Sequence, residues 1–278
     1  MNKEFKLKTN EGSVLDVYVY GLENISRAAC LILVHGFKGF KDWGFFPYSA
    51  ERFAKCGYFV ITFNFSHNGI KGNDFNVFDI DSFAKNTVSL EISELVQVIN
   101  AYKNGYFSNN VYGKIGLVGH SRGGGDAILS SLVDKVDGYV VWASVVRFDR
   151  YTERQKAEWR KQGFFEVLNS RTNQMMRMDV DLLEDIESNK TGSLNIENAA
   201  RNLCRPMLLI HGTEDLTVPI IEGEQIYNWS DKSITEFERI PACGHTFDIV
   251  HPFEGSNKKF ELVLVKTQEF FNKVFILN

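Results

Sequence analysis

The sequence predicts an α/β fold with a mostly parallel sheet covered by helices on both faces, and three observations carry that expectation. Short, largely apolar runs recur along the chain: AACLILV at 28–34, YFVITFNF at 58–65, GYVVWA at 138–143 and PMLLI at 206–210. Strands buried on both faces read this way, whereas strands with one wet face alternate. Stretches with helical spacing separate these runs, which is the rhythm of strand, crossover helix, strand. Finally, 278 residues at 44% hydrophobic content can fill one complete core.

Residues 4–20 alternate polar and apolar around Asn10-Glu11-Gly12, predicting an antiparallel hairpin. The strand at 28–34 runs into His35-Gly36-Phe37-Lys38-Gly39, a helix over 47–55 closes at Gly57, and the strand at 58–65 opens into a polar loop, 66–76. Over 86–102, Val88, Ile92, Leu95 and Ile99 share one helical face, and Asn104-Gly105 ends it. The stretch KIGLVGHSRGGG, 114–125, is an apolar strand run stopped by a glycine-bounded turn, with helix-compatible sequence behind it at 126–133.

After the strand at 138–143 the pattern changes. From 144 to about 202 charges, Gln, Met and Trp dominate, with helical runs at 153–162 and 180–188 and no convincing strand. This stretch is expected to be a helical lid insertion, about 145–198, within a single domain spanning 1–278, because it is too short and polar to hold its own core. The α/β rhythm resumes with a strand at 206–210, a short helix at 222–227, a strand at 235–240 and a terminal helix over 260–276.

Composition narrows the function classes. A net charge of −4 leaves no global positive field for nucleic acid or an anionic membrane. No run approaches 18 apolar residues and the N-terminal stretch lacks an apolar leader, so the expectation is a cytoplasmic protein. Cys30, Cys56, Cys204 and Cys243 are far apart without C-x-x-C spacing, which points to free thiols. Neither a metal nor a cofactor is expected.

Ser121 sits at the apex of the strand, turn and helix, where Gly119 and Gly123 stand at the positions that crowd an elbow. The helix behind it offers free N–H groups to an anion. A nucleophilic serine needs a base, an acid to orient the base, and an oxyanion hole. Of the six histidines, His120 is expected to point into the fold, His35 and His211 to bond loop backbone, His251 to lie at the surface or in packing, and His67 to line a pocket. His245, beside Gly244 after the last strand, is the candidate base. Asp215, past the end of the strand at 206–210, is the candidate acid, with Glu214 beside it as a rival.

HGFKG at 35–39, FNFSHNGIKG at 63–72, GHSRGG at 119–124, HGTEDLTVP at 211–219 and the Gly244-His245 pair together resemble an α/β-hydrolase, specifically a serine esterase of the dienelactone-hydrolase-like or cinnamoyl-esterase-like type. The motifs span nearly the whole chain. The resemblance implies an α/β-hydrolase fold with a mostly parallel eight-stranded sheet, Ser121 as nucleophile, Asp215 as acid, His245 as base, and the backbone N–H groups of Phe37 and Arg122 as oxyanion hole. Dienelactone hydrolases proper carry a cysteine nucleophile, so the serine at 121 departs from that branch.

The implied activity is hydrolysis of a small-molecule carboxylic ester, of aryl, hydroxycinnamoyl or short acyl type. An amidase or peptidase resembling the acyl-aminoacyl peptidases, an acyltransferase, and a non-catalytic binding protein on the same fold stay open, as does a homodimer. Phe40, Trp43 and His67 are candidate pocket residues. Lys38, Arg122 and Arg147 are charges that could draw an acidic substrate, with the Arg122 side chain also open to a solvated reading.

Overall fold

A computed structural model describes residues 2–71, 74–169 and 173–277. The chain opens with the expected hairpin, β1 (Asn2–Lys8) and β2 (Val14–Tyr20), and continues through β3 (Cys30–Val34), α1 (Phe45–Lys55) and β4 (Phe59–Phe63). A small hairpin, β5 (Ile70–Lys71) and β6 (Asp74–Phe78), occupies part of the predicted polar loop, followed by α2 (Ile80–Ala84) and α3 (Val88–Lys103). Gly72, which closes the FNFSHNGIKG motif, lies outside the described residues. Then come β7 (Ile115–His120), α4 (Arg122–Ser130) and β8 (Gly138–Trp142).

The insertion comprises α5 (Glu153–Gln162), β9 (Phe164–Asn169), β10 (Gln174–Asp179), α6 (Val180–Asn189) and α7 (Ile196–Arg201). The chain closes with β11 (Met207–Gly212), α8 (Ile220–Trp229), β12 (Thr235–Ile240) and α9 (Lys258–Leu277).

Eight strands form one sheet in the order β1-β2-β4-β3-β7-β8-β11-β12. From β4 to β12 every neighbouring pair is parallel, and β2 pairs antiparallel with β4. Residues β3, β4, β7, β8 and β11 are buried throughout, which is why they read as unbroken apolar runs. The pleat sorts side chains between two cores. Cys30, Ile32 and Val34 face the core built with α3 and α4, and Leu31 and Leu33 face the one built with α1 and α9.

The chain leaves β3 for β4 on one side and later returns to β7 on the other. Such a reversal opens a crevice beyond the carboxyl ends of the two strands, where their loops diverge. The loop 35–39 and the turn at Ser121 both leave from there.

The insertion is not purely helical, which corrects the sequence expectation. β9 and β10 pair antiparallel from Asn169↔Gln174 to Phe164↔Asp179. Met176 and Met178 turn inward while Met175 and Arg177 turn outward, the period of a strand. Methionine, glutamine and arginine have no strong strand preference, so the alternation did not announce itself as a strand. Nor does the insertion have a separate core. Trp159 is fully buried, stacks on Phe165 at 5.4 Å between ring centroids, and belongs to the same apolar cluster as α3 and α4.

Candidate active site

Ser121 stands between β7 and α4 with φ 58° and ψ −121°, a left-handed backbone that a residue bearing a side chain adopts only when its surroundings impose it. The imposition is visible. A methyl group on Gly119 would lie 2.2 Å from the Gly123 carbonyl oxygen, and one on Gly123 would lie 2.5 Å from the carbonyl oxygens of both Val34 and His35. Strand, helix and the end of β3 are thus in backbone contact, and only glycine fits between them. The Ser121 N–H is held by the Trp142 carbonyl at 2.9 Å.

His245 and Asp215 arrive from the loops after β12 and β11. His245 Nε2 lies 3.0 Å from Ser121 Oγ, and His245 Nδ1 lies 2.7 Å from Asp215 Oδ2. With Nδ1–H donating to the carboxylate, Nε2 is the free acceptor for the serine proton. Asp215 Oδ1 accepts the N–H groups of Thr217 at 2.9 Å and Val218 at 2.8 Å. Burial alone would raise the Asp215 pKa, but hydrogen bonds from His211 and His245, the charge of His245 and the Val218 N–H together hold it well below the ordinary carboxylate value. The rival Glu214 is exposed, and its backbone N–H bonds Cys243.

The neighbouring histidines are scaffolding. His120 Nε2–H donates to the His245 carbonyl at 3.0 Å, and burial followed by the adjacent His245 charge pushes its pKa down to about 3. His35 donates from Nδ1 to Gly36 O at 3.0 Å and accepts the Phe65 N–H at Nε2, so burial leaves it neutral with a pKa of about 4. His211 Nε2–H donates to Val218 O at 2.8 Å, bracing the loop that carries Asp215.

Phe37 follows β3, and Arg122 opens α4, where the first amides have no carbonyl one turn back. Gly36 abuts the elbow so closely that a methyl there would sit 3.0 Å from Ser121 Cβ. The Arg122 side chain is not solvated. It is buried, lies 4.3 Å over the Phe37 ring and approaches Glu91 Oε2 at 3.6 Å. The side chains of the two residues expected to supply the oxyanion hole are therefore stacked on each other.

Two cavities meet at Ser121. The larger, about 300 Å³, is lined by the loop 36–39, Trp43, Phe46, Ser121, His245 and Asn169, the last from β9. The smaller, about 140 Å³, lies toward the insertion and shares Phe37 and Ser121 with the first.

Of the expected pocket residues, Trp43 lines the larger cavity, while Phe40 and His67 do not line either one. Phe40 is fully buried and meets His251 edge-on at 5.2 Å; His251 in turn stacks on Trp43 at 6.0 Å. It therefore lies behind the wall, an outcome its place one residue past the glycine-rich loop did not reveal. His67 Nδ1 lies 2.6 Å from Ser66 Oγ, which also bonds the buried Glu94. Sequence reasoning missed Phe46 and Asn169. Phe46 stands at the start of α1 beside Trp43, so proximity could have found it; Asn169 had no signal once β9 went unrecognised.

Among the described residues, no cluster of His, Cys, Asp or Glu could hold a metal ion, and no helix is long and apolar enough to cross a membrane.

No protein-family model matches the chain, and no curated protein matches it. Solved structures do. GrgF, an α/β hydrolase from Penicillium sp. sh18, superposes with a TM-score of 0.74 at 16% identity, covering 98% of both chains. Est1E from Butyrivibrio proteoclasticus does so with a TM-score of 0.70 at 14% identity, covering 98% of this chain and 99% of its own. The chain has the α/β-hydrolase fold. Mouse alpha/beta hydrolase domain-containing protein 10 gives a TM-score of 0.73 at 17% identity, over 98% of this chain and 99% of its own. Identities this low establish the α/β-hydrolase architecture and leave the chemistry to the residues of this chain.

Proposed function

We propose that the protein is a serine hydrolase that cleaves a carboxylic ester through an acyl-enzyme. The observation that carries this reading is the relay from Asp215 to His245 at 2.7 Å and on to Ser121 at 3.0 Å, ending on a serine held at a strained elbow. His245 takes the Ser121 proton as Oγ attacks the ester carbonyl. Asp215 fixes the imidazole tautomer and offsets the charge that forms on the ring. The Phe37 and Arg122 amides receive the oxyanion, a role worth about 3 kcal/mol of barrier per donor. Collapse expels the alcohol, protonated by His245, and the same base then activates water to release the acid.

The aromatic wall of the larger cavity favours an aryl or other apolar group on one side of the ester. Ferulic acid bound to Est1E is in keeping with an aryl ester for this chain as well. Amide hydrolysis uses the same groups, and parallel assays of p-nitrophenyl esters and aminoacyl p-nitroanilides separate the two; faster anilide turnover sinks the esterase reading.

The deciding experiment is intact-mass labelling with a fluorophosphonate. A single adduct is expected on the wild type, absent in Ser121→Ala and formed more slowly in His245→Ala and Asp215→Asn. A folded wild type that takes no adduct would instead favour a non-catalytic binding protein.

A further inference from the structure

The chain carries more acid than base, 35 carboxylate residues against 31 lysines and arginines. The surroundings of Ser121 invert that balance. The two cavities that meet there are lined by Lys38, Arg122, Arg147 and Arg150, and by no Asp or Glu among the described residues. Two of these cations are already matched. Arg150 pairs with Glu222 at 2.6 Å, and Arg122 approaches Glu91 at 3.6 Å. The other two are not. Lys38 Nζ donates to the Leu168 carbonyl of β9 at 3.1 Å and is half-buried, with no carboxylate partner among the described residues. Arg147 is exposed where the smaller cavity adjoins one that Asp149 and Glu197 also line, yet it is ion-paired to neither among the described residues.

A guanidinium kept free at a cavity wall gains little for the fold, because it forgoes an ion pair that a nearby acid would supply. For a ligand it is a different matter: a carboxylate meeting it inside a cavity gains a charge-assisted, two-pronged contact. Both cavities have aromatic walls, Trp43 and Phe46 in the larger and Phe148 and Tyr151 in the smaller, but only the smaller sets arginines among them. Because Ser121 lines both, a scissile ester at its Oγ would project one half into each.

We propose that the substrate is an ester whose acyl half ends in a carboxylate, received by Arg147 in the smaller cavity, while an apolar or aromatic alcohol half occupies the larger one. This rests on the hydrolase reading and names its substrate class. The reaction is ordinary hydrolysis: water adds across the acyl–oxygen bond, and the products are an alcohol and a dicarboxylic acid. Lys38, on the opposite side, adds to the positive field that draws the anion in.

The test compares mono-4-nitrophenyl adipate with 4-nitrophenyl hexanoate, which match in chain length and differ in the terminal carboxylate. The adipate is expected to have a kcat/KM about tenfold higher at low ionic strength, with the ratio shrinking as salt is added. Arg147→Gln should bring the ratio close to one, whereas Lys273→Gln, on α9 beside Glu236 at the start of β12, should leave it as in wild type. A ratio at or below one, or one that Arg147→Gln does not change, overturns the inference while labelling of Ser121 keeps the hydrolase reading standing. If Ser121 takes no label, the hydrolase reading falls, and the anion site is read directly by calorimetry on Ser121→Ala. There adipic acid monoanilide should bind about tenfold more tightly than hexananilide, and equal binding overturns the site too.

Discussion

Around Ser121 the conformation is set by backbone meeting backbone, whereas the insertion from 145 to 202 is held to the sheet by side chains. At the elbow, β7, α4 and the end of β3 approach so closely that Gly119 and Gly123 have no room for a methyl group. The insertion rests on contacts such as the carboxylate of Asp185 on Ser89 of α3, Arg150 on Glu222 of α8 at 2.6 Å, and Lys38 on the Leu168 carbonyl at 3.1 Å. Backbone contacts cannot be traded for others of similar strength; side-chain contacts can. The difference teaches where precision is needed. A nucleophile must be held to a fraction of an ångström, and a substrate wall can vary.

The largest effect should come from the part that is both rigid and chemical. Asp215→Asn keeps the Oδ1 acceptor for the Thr217 and Val218 amides but presents a neutral amide to His245, allowing the wrong imidazole tautomer. The expected loss is about 10⁴-fold in kcat, with a smaller loss of stability at neutral pH because the fold favours the ionised carboxylate. Steady-state kinetics beside a urea melt check it; a loss under tenfold would mean that the relay does not limit turnover.

Next in size is a breach of the backbone packing itself. Gly119→Ala places its methyl 2.2 Å from the Gly123 carbonyl oxygen, with no flexible side chain to yield. A destabilisation of about 3 kcal/mol or more is expected, by chemical denaturation, with fluorophosphonate labelling lost in parallel. Retained labelling at wild-type stability would show that the elbow can relax, and that the contrast with the insertion is weaker than drawn here.

The same division decides what the sequence reveals. The sheet was legible because burial on both faces leaves almost only apolar residues in β3, β4, β7, β8 and β11, with Thr62, His120 and His211 the exceptions. Gly119, Ser121 and Gly123 were legible because close backbone approach leaves one permissible residue type. In contrast, β9 and β10 present one face to solvent and turn Phe165, Val167, Met176 and Met178 inward, a short mixed set that many sequences would serve and that is not diagnostic. Phe40 and the side chain of Arg122 were misplaced for a related reason. Nothing in a loop sequence tells which aromatic faces the cavity and which supports it, or that an arginine beside the elbow finds Glu91 from α3. The α4 start lies four residues before the expected 126, since Gly123, Gly124 and Gly125 are poor helix formers that the elbow forces into the first turns.

The insertion should respond more gently. Asp185 accepts the Ser89 N–H at 3.0 Å and bonds the Ser89 hydroxyl, tying α6 to the first turn of α3. Asp185→Ala removes an acceptor at a helix start and should cost about 1 kcal/mol. Hydrogen exchange should rise within 174–198 while the 115–130 amides keep wild-type protection. Uniform loosening of both regions would mean that they form one cooperative unit, against the distinction made above.

The mildest change in shape, one carboxyl oxygen to an amide nitrogen, probes a buried acid inside the rigid region. Asp126 of α4 is fully buried and neither carboxyl oxygen has a hydrogen-bond partner. Burial, and then the charge of nearby Glu91, raises its pKa well above the usual value, with Arg122 acting in the opposite direction. A carboxyl whose pKa is higher folded than unfolded favours the native state below its unfolded pKa, near 4, and loses that contribution as pH rises toward the folded value. Asp126→Asn stays neutral throughout, so its stability relative to wild type should improve as the pH rises from 4 to 8. Urea melts at the two pH values measure it. The opposite trend, with the asparagine variant losing ground as pH rises, would mean that Asp126 is ionised against Arg122, and that the residue stacked on Phe37 is anchored by a charge pair rather than by packing.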